Sequence, residues 1–159
     1  MSHRRTLLSS LALGAIGLAG CSSLRGHRGY IYLKHIQGQQ EPNEEFEDVL
    51  VAARDDENGG RQGSVADRWE EYVDNPKAPT VSESFHETLH REYHEVAYLA
   101  RFCSEQLDSG SYGCIKDDVD REDFNQAQVY DRVQARHLDE QDRIEIYSVV
   151  ESWTPTDST

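Results

Sequence analysis

Three histidines, His86, His90 and His94, recur at i, i+4 and i+8. On a helix this spacing lines the imidazoles along one face, and neighbours at i, i+4 can share a transition metal such as Zn²⁺ or Cu²⁺. A row of three is too stretched to reach one ion. The workable site is two histidines with a carboxylate from Glu83 or Glu87. The plainer alternative is a hydrated polar face, and a turn into strand before His94 breaks the triplet. Asp118, Asp120, Glu122 and Asp123 partly imitate an oxygen-ligand calcium loop, but the sixth-position glycine and the spaced terminal glutamate are missing. Such near-matches arise by chance in a chain with 30 acidic residues. Gly110-Ser111-Tyr112-Gly113 is not a Gly-x-Ser-x-Gly nucleophile elbow. No glycine-rich phosphate loop follows a strand, and no carboxylate pair stands out for acid–base work. The pattern points to a non-enzymatic chain.

Residues 1–20 give an address rather than a chemistry. A basic head with Arg4 and Arg5 precedes a mostly apolar run from Leu7 to Leu18, and the segment closes on Leu18-Ala19-Gly20-Cys21. The run is too short to span a bilayer, and the three-part layout is that of an export signal. Leu18-Ala19-Gly20-Cys21 resembles a lipobox, the cleavage and lipidation site of membrane lipoproteins, and Arg4-Arg5-Thr6-Leu7-Leu8 resembles a twin-arginine signal. The resemblance implies that Cys21 becomes the lipidated mature N-terminus and ties the chain to the extracytoplasmic face of the membrane. His3 departs from the twin-arginine pattern, since a Ser or Thr commonly precedes the arginines.

Charge is consistent with that setting. Loss of Arg4 and Arg5 with the leader leaves 14 basic residues against 30 acidic ones, a net charge of −16 over 139 residues. Lys34, Lys77 and Lys116 are the only lysines. Acidic excess with scarce lysine suits multimolar salt, where the Debye length falls to roughly 3 Å or below and self-repulsion is screened. In signal and composition the chain resembles small secreted lipoproteins of extreme halophiles, the haloarchaea. Nucleic acid is excluded as a partner by charge, since no basic face offsets the repulsion. The basic cluster Arg25, His27 and Arg28 can touch anionic headgroups or act as a solvated tether.

With Cys21 assigned to lipid, Cys103 and Cys114 remain, in a compartment where disulfides persist. Asp108-Ser109-Gly110 between them is turn chemistry and the flanks are strand-like, so a bridge across a hairpin is expected; Cys-x-x-Cys redox spacing is absent.

The elements that must position these residues follow from local pattern. Residues 22–28 read as a tether reaching roughly 25 Å. Tyr30–Ile36 and Phe46–Arg54 read as paired strands, with loops over 37–45 and 55–63. Val65, Trp69, Tyr72 and Val73 fall on one helix face, with Ser64 as cap and Asn75-Pro76 as stop. Ser84 with Glu87 resembles a capping box for a helix carrying Phe85, Leu89, Tyr93 and Val96. Strand follows near 98–103, with partner 112–119. Residues 120–125 read as a tight turn or one-turn helix. Strands over 129–137 and 143–151 complete the pattern, and 154–159 is a tail. The expectation is one α+β domain over 29–153, with about six strands and two helices, as an antiparallel sheet or partly closed barrel. The expected role is a lipid-anchored envelope or interaction domain. The alternative is a metal-binding surface lipoprotein using the histidine face.

Overall fold

The computed structural model describes residues 26–108 and 111–155. Its strands are β1 (His27–Gln39), β2 (Glu47–Asp55), β3 (Gly60–Val65), β4 (Glu95–Asp108), β5 (Ser111–Asp118), β6 (Arg132–Leu138) and β7 (Arg143–Glu151). Helices α1 (Glu83–Glu92) and α2 (Arg121–Gln126) and 3₁₀ turns at Asp67–Tyr72 and Asp139–Gln141 lie between them. The strand order is β3-β2-β1-β4-β5-β7-β6, and β6 pairs back onto β1. Five strands thus close into a barrel in Greek-key order, with β2 and β3 as a hairpin outside the ring.

β1 makes this branching possible. One edge pairs with β4 from Tyr30 to Gln39. The other pairs with β6 over His27–Tyr30 and then with β2 over Leu33–Gly38. Where the partner changes, Tyr32 is an extra residue in the ladder with β4, a bulge that bends the strand. The inward period slips with it: Ile31, Lys34 and Ile36 are all buried, opposite buried Phe102, Ala100 and Tyr98. Closure on the far side is slight, since β5 meets β7 at one parallel pair, Asp118 with Arg143.

α2 packs against β4 and β7 and buries Phe124 beside the Tyr98 ring. A second group of rings sits under α1: Trp69, Tyr72, Phe85 and Tyr93. Gly38 lets it approach β1, because a Cβ there would lie 2.6 Å from atoms of the Tyr93 ring.

The fold is mostly β, with seven strands rather than about six. β3 lies where local pattern predicts a loop and the start of a helix; its Arg61-Gln62-Gly63-Ser64 has no apolar alternation, because it is an edge strand held through its backbone to β2. Ser64 is therefore a strand residue and not a cap. The helix expected after it is a 3₁₀ turn, which buries Trp69, with Val73 buried just beyond it. Ser82, not Ser84, caps α1 by accepting from the Phe85 N–H at 3.1 Å. Asn125 selects that start: its side-chain amide pairs with both the N–H and C=O of Val81 and holds residue 81 extended. α1 stops at Glu92, because Tyr93 turns extended and the His94 N–H donates to Gln39 O at 2.8 Å. β1 begins at His27, so the last two residues of the expected tether are strand. β6 begins at Arg132 rather than Val129, after a turn in which Tyr130 takes φ +73°.

Candidate functional site

The chemistry-bearing residues fall in two places. His86 and His90 stay on α1, with ring centroids 4.3 Å apart. His86 Nδ1 hydrogen-bonds the Tyr98 hydroxyl at 2.6 Å, and burial together with His90 pushes the His86 pKa down. His94 leaves the helix, so the three-histidine face is not formed. Among the described residues no group of three or more His, Cys, Asp or Glu side chains gathers around a possible ion. The acidic stretch is spent on structure: Asp120 pairs with Arg143, and Asp123 accepts the Ile146 N–H at 3.1 Å. Cys103 and Cys114 face one another across β4 and β5, with sulfurs 2.08 Å apart. Arg4, Arg5, Leu18, Ala19, Gly20 and Cys21 lie outside the described residues.

The second place is a cleft of about 640 Å³ lined by Tyr30, Tyr32, Arg54, Arg101, Cys114 and Tyr130. Its volume is in the range of small-molecule sites. β1 supplies two walls, because the bulge displaces Tyr32 from the inward period. Arg54 comes from the end of β2 and Arg101 from β4, opposite the bulge. Tyr130 arrives from the loop before β6.

Tyr130 is a bulky residue in the left-handed region, where Gly, Asn and Asp are the usual occupants. Such strain persists only where surroundings over-determine it, and it clusters at functional sites. The surroundings here are explicit. The Tyr130 N–H donates to Ile31 O at 2.8 Å. The Asp131 carboxylate, 5 % exposed, accepts from the Gln128 N–H at 2.8 Å and the Trp153 N–H at 2.9 Å. Arg61 Nε donates to Val129 O at 2.7 Å. From the barrel interior, Lys34 Nζ donates to Gln128 Oε1 at 2.9 Å and to Pro79 O at 2.8 Å. Burial pushes the Lys34 amine down to about 7, against the attraction of Asp131.

Rings and guanidiniums then stack in series. Arg54 lies 4.4 Å from the Tyr32 ring centroid and 4.8 Å from that of Tyr130. Tyr130 stacks on Trp153 at 5.0 Å, and Arg61 covers Trp153 at 4.6 Å. Arg132 lies over Tyr30 and donates to its hydroxyl. Arg54 Nε sits 3.5 Å from Asp56, outside hydrogen-bonding geometry, and Arg101 has no carboxylate within ion-pairing distance among the described residues. The cleft therefore offers ring faces, phenolic hydroxyls and two guanidiniums, groups able to hold a ligand.

Sequence reasoning missed this site. Tyr30 and Tyr32 were visible as strand residues, but nothing local links them to residues 54, 101 and 130. No family model, curated protein or solved structure matches the chain.

Proposed function

We propose that the chain is a lipid-anchored, extracytoplasmic, non-enzymatic binding domain whose ligand site is the Arg–Tyr cleft. The observation that carries the binding reading is the strained Tyr130, clasped from both sides to present its ring beside Arg54 and Tyr32. Structural rings are normally buried in unstrained backbone; here a strained residue spends its ring on an open cleft. The anchor rests on the lipobox-like Leu18-Ala19-Gly20-Cys21 and the paired Arg4 and Arg5. With β1 starting at His27, five residues link Cys21 to the fold, roughly 20 Å at full extension, so the cleft works close to the membrane surface. The acidic, lysine-poor composition supports a salt-rich exterior.

Two experiments test the parts separately. Cys21→Ser is expected to release the protein to the medium or leave uncleaved precursor, read by fractionation and mass; a fully processed, membrane-bound variant defeats the anchor. Saturable calorimetric binding of ring-bearing small molecules, lost in Tyr130→Gly, tests the cleft.

The paired rings of His86 and His90 favour a second reading, a surface lipoprotein that takes Zn²⁺ or Cu²⁺. Titration of the full chain with each ion in high salt decides it; without saturable uptake that depends on His90, the metal reading falls.

A further inference from the structure

We propose that the cleft selects a small organic anion: a flat ring bearing a carboxylate or a phosphate. This rests on the cleft being the binding site. The argument begins from charge balance. The chain carries 30 acidic residues against 16 Lys and Arg, so a random arginine finds a carboxylate easily. Outside the cleft, Arg68, Arg132, Arg136 and Arg143 each do so, while Arg91 and Arg121 have no carboxylate within ion-pairing distance among the described residues. Arg61, beneath the cleft, pairs with buried Asp131. Of the two arginines that line the cleft, one has a carboxylate partner and one has none. Arg101 has no carboxylate partner among the described residues, and Arg54 pairs with exposed Asp56, Nε to Oδ1 at 3.5 Å, without a hydrogen bond. Within the cleft, Arg101 is thus open to an anion from outside, beside Arg54, whose only carboxylate partner is exposed.

Geometry narrows the class. Arg54 lies over both the Tyr32 and Tyr130 rings, its Cζ 4.4 Å and 4.8 Å from their centroids, which restrains the guanidinium before any ligand arrives. A guanidinium presents a planar fork of donors, and carboxylate and phosphate both match it. The remaining wall is tyrosine ring, against which a bare inorganic ion leaves ring surface uncovered. A ligand that joins a flat ring to one anionic group satisfies both parts. A long polyanion does not, because the surrounding acidic surface repels each added phosphate.

The test is calorimetry on the full chain at fixed ionic strength with five probes: benzoate, adenosine 5′-monophosphate, their neutral counterparts benzyl alcohol and adenosine, and inorganic phosphate. The anions are expected to bind saturably and at least about tenfold tighter than their neutral counterparts. Arg101→Gln, which breaks no ion pair in the fold, is expected to erase that preference while leaving the melting temperature unchanged. Benzoate alone or the nucleotide alone also supports the inference and names the carboxylate or the phosphate source. Neutral probes binding as tightly as the anions, inorganic phosphate matching the nucleotide, or an anion preference that survives Arg101→Gln each overturns the inference and leaves the cleft as a binding site. No saturable binding by any probe overturns the cleft reading as well. Arg54→Gln is the second variant, with the same expected loss.

Discussion

The α1 face and the Arg–Tyr cleft are built from the same kinds of side chain by opposite routes. Both bring rings against titratable groups. On α1, His86 and His90 meet because helical spacing brings i and i+4 together, and Ser82 caps the start. In the cleft, Tyr32, Arg54, Arg101 and Tyr130 meet only because β1 changes partners at a bulge and a left-handed turn follows α2. Local spacing produced a pair without a third ligand. Long-range assembly produced an open cleft holding one arginine, Arg101, without a carboxylate partner among the described residues. In this molecule, side chains brought together by topology make the better candidate for a site.

The largest expected effect separates the two regions. Phe85 is fully buried, stacked on Tyr72 at 5.1 Å and tilted against Trp69 at 5.8 Å. Phe85→Ala is expected to cost about 3–5 kcal/mol in chemical unfolding, through lost burial and the cavity left behind. None of its ring partners lines the cleft, so the folded fraction of the variant keeps its affinity for ring-bearing probes. A variant that is folded yet fails to bind shows the two regions to be one unit.

Next comes the bridge. Cys103→Ser with Cys114→Ser removes a cross-link between β4 and β5 that spans 11 positions, worth about 2–3 kcal/mol in the chain-entropy account. Because Cys114 lines the cleft, this pair should weaken probe binding. Unchanged stability under reducing conditions contradicts the bridge.

How much of this was legible follows from the range of the interactions. Strands at 30–36, 46–54 and 143–151 announce themselves through β-branched and aromatic runs, and the Cys103–Cys114 spacing with its central turn placed those residues opposite one another. β3 is silent because its pairing is carried by backbone; at Gly63 a Cβ would lie 2.1 Å from Pro76 O, so even its glycine has a long-range reason. The number of strands in the ring was equally hidden, since β5 and β7 meet at one pair. Tyr130 carries no left-handed signature in its residue type; the turn is imposed by its neighbour Asp131 together with Arg61 from β3 and Lys34 from β1.

Lys34 gives a smaller effect with a definite sign. Its ordinary value is 10.5 and burial lowers it to about 7, so unfolding takes up a proton between those limits. Stability should therefore rise with pH above 7. In Lys34→Met that part of the slope disappears, while Pro79 O keeps a donor from Gln128 Nε2 at 3.1 Å. Urea unfolding at neutral and at mildly alkaline pH reads a difference in slope of about 1 kcal/mol per pH unit or less. Equal slopes in the two proteins show that the amine stays charged in the fold. Because Lys34 supports Gln128 beneath Tyr130, the variant is also expected to weaken cleft binding without touching the α1 histidines.

The smallest effect lies at the thinly closed side of the barrel, away from both regions. His137 on β6 reaches past β7 to Asp117 on β5, Nε2 to Oδ2 at 2.8 Å, while its Nδ1 meets Asp139 at 2.6 Å. These hydrogen bonds raise its pKa, Asp117 foremost and Asp139 after it, with burial opposing. A raised pKa stabilises the fold fully below the unfolded value, and the benefit is lost as pH climbs through the folded one. His137→Asn should thus cost up to about 1 kcal/mol in mildly acidic buffer and nearly nothing in alkaline buffer, a modest sum because the pair is partly solvated. Multimolar salt screens only the more exposed Asp139 partner strongly, so part of the acid-side difference should persist there. The opposite pH trend to that of Lys34 makes the two distinguishable in one set of unfolding curves. A His137 variant that loses most in alkaline buffer shows that the ring packs neutral and that this side of the barrel is closed by β5 and β7 alone.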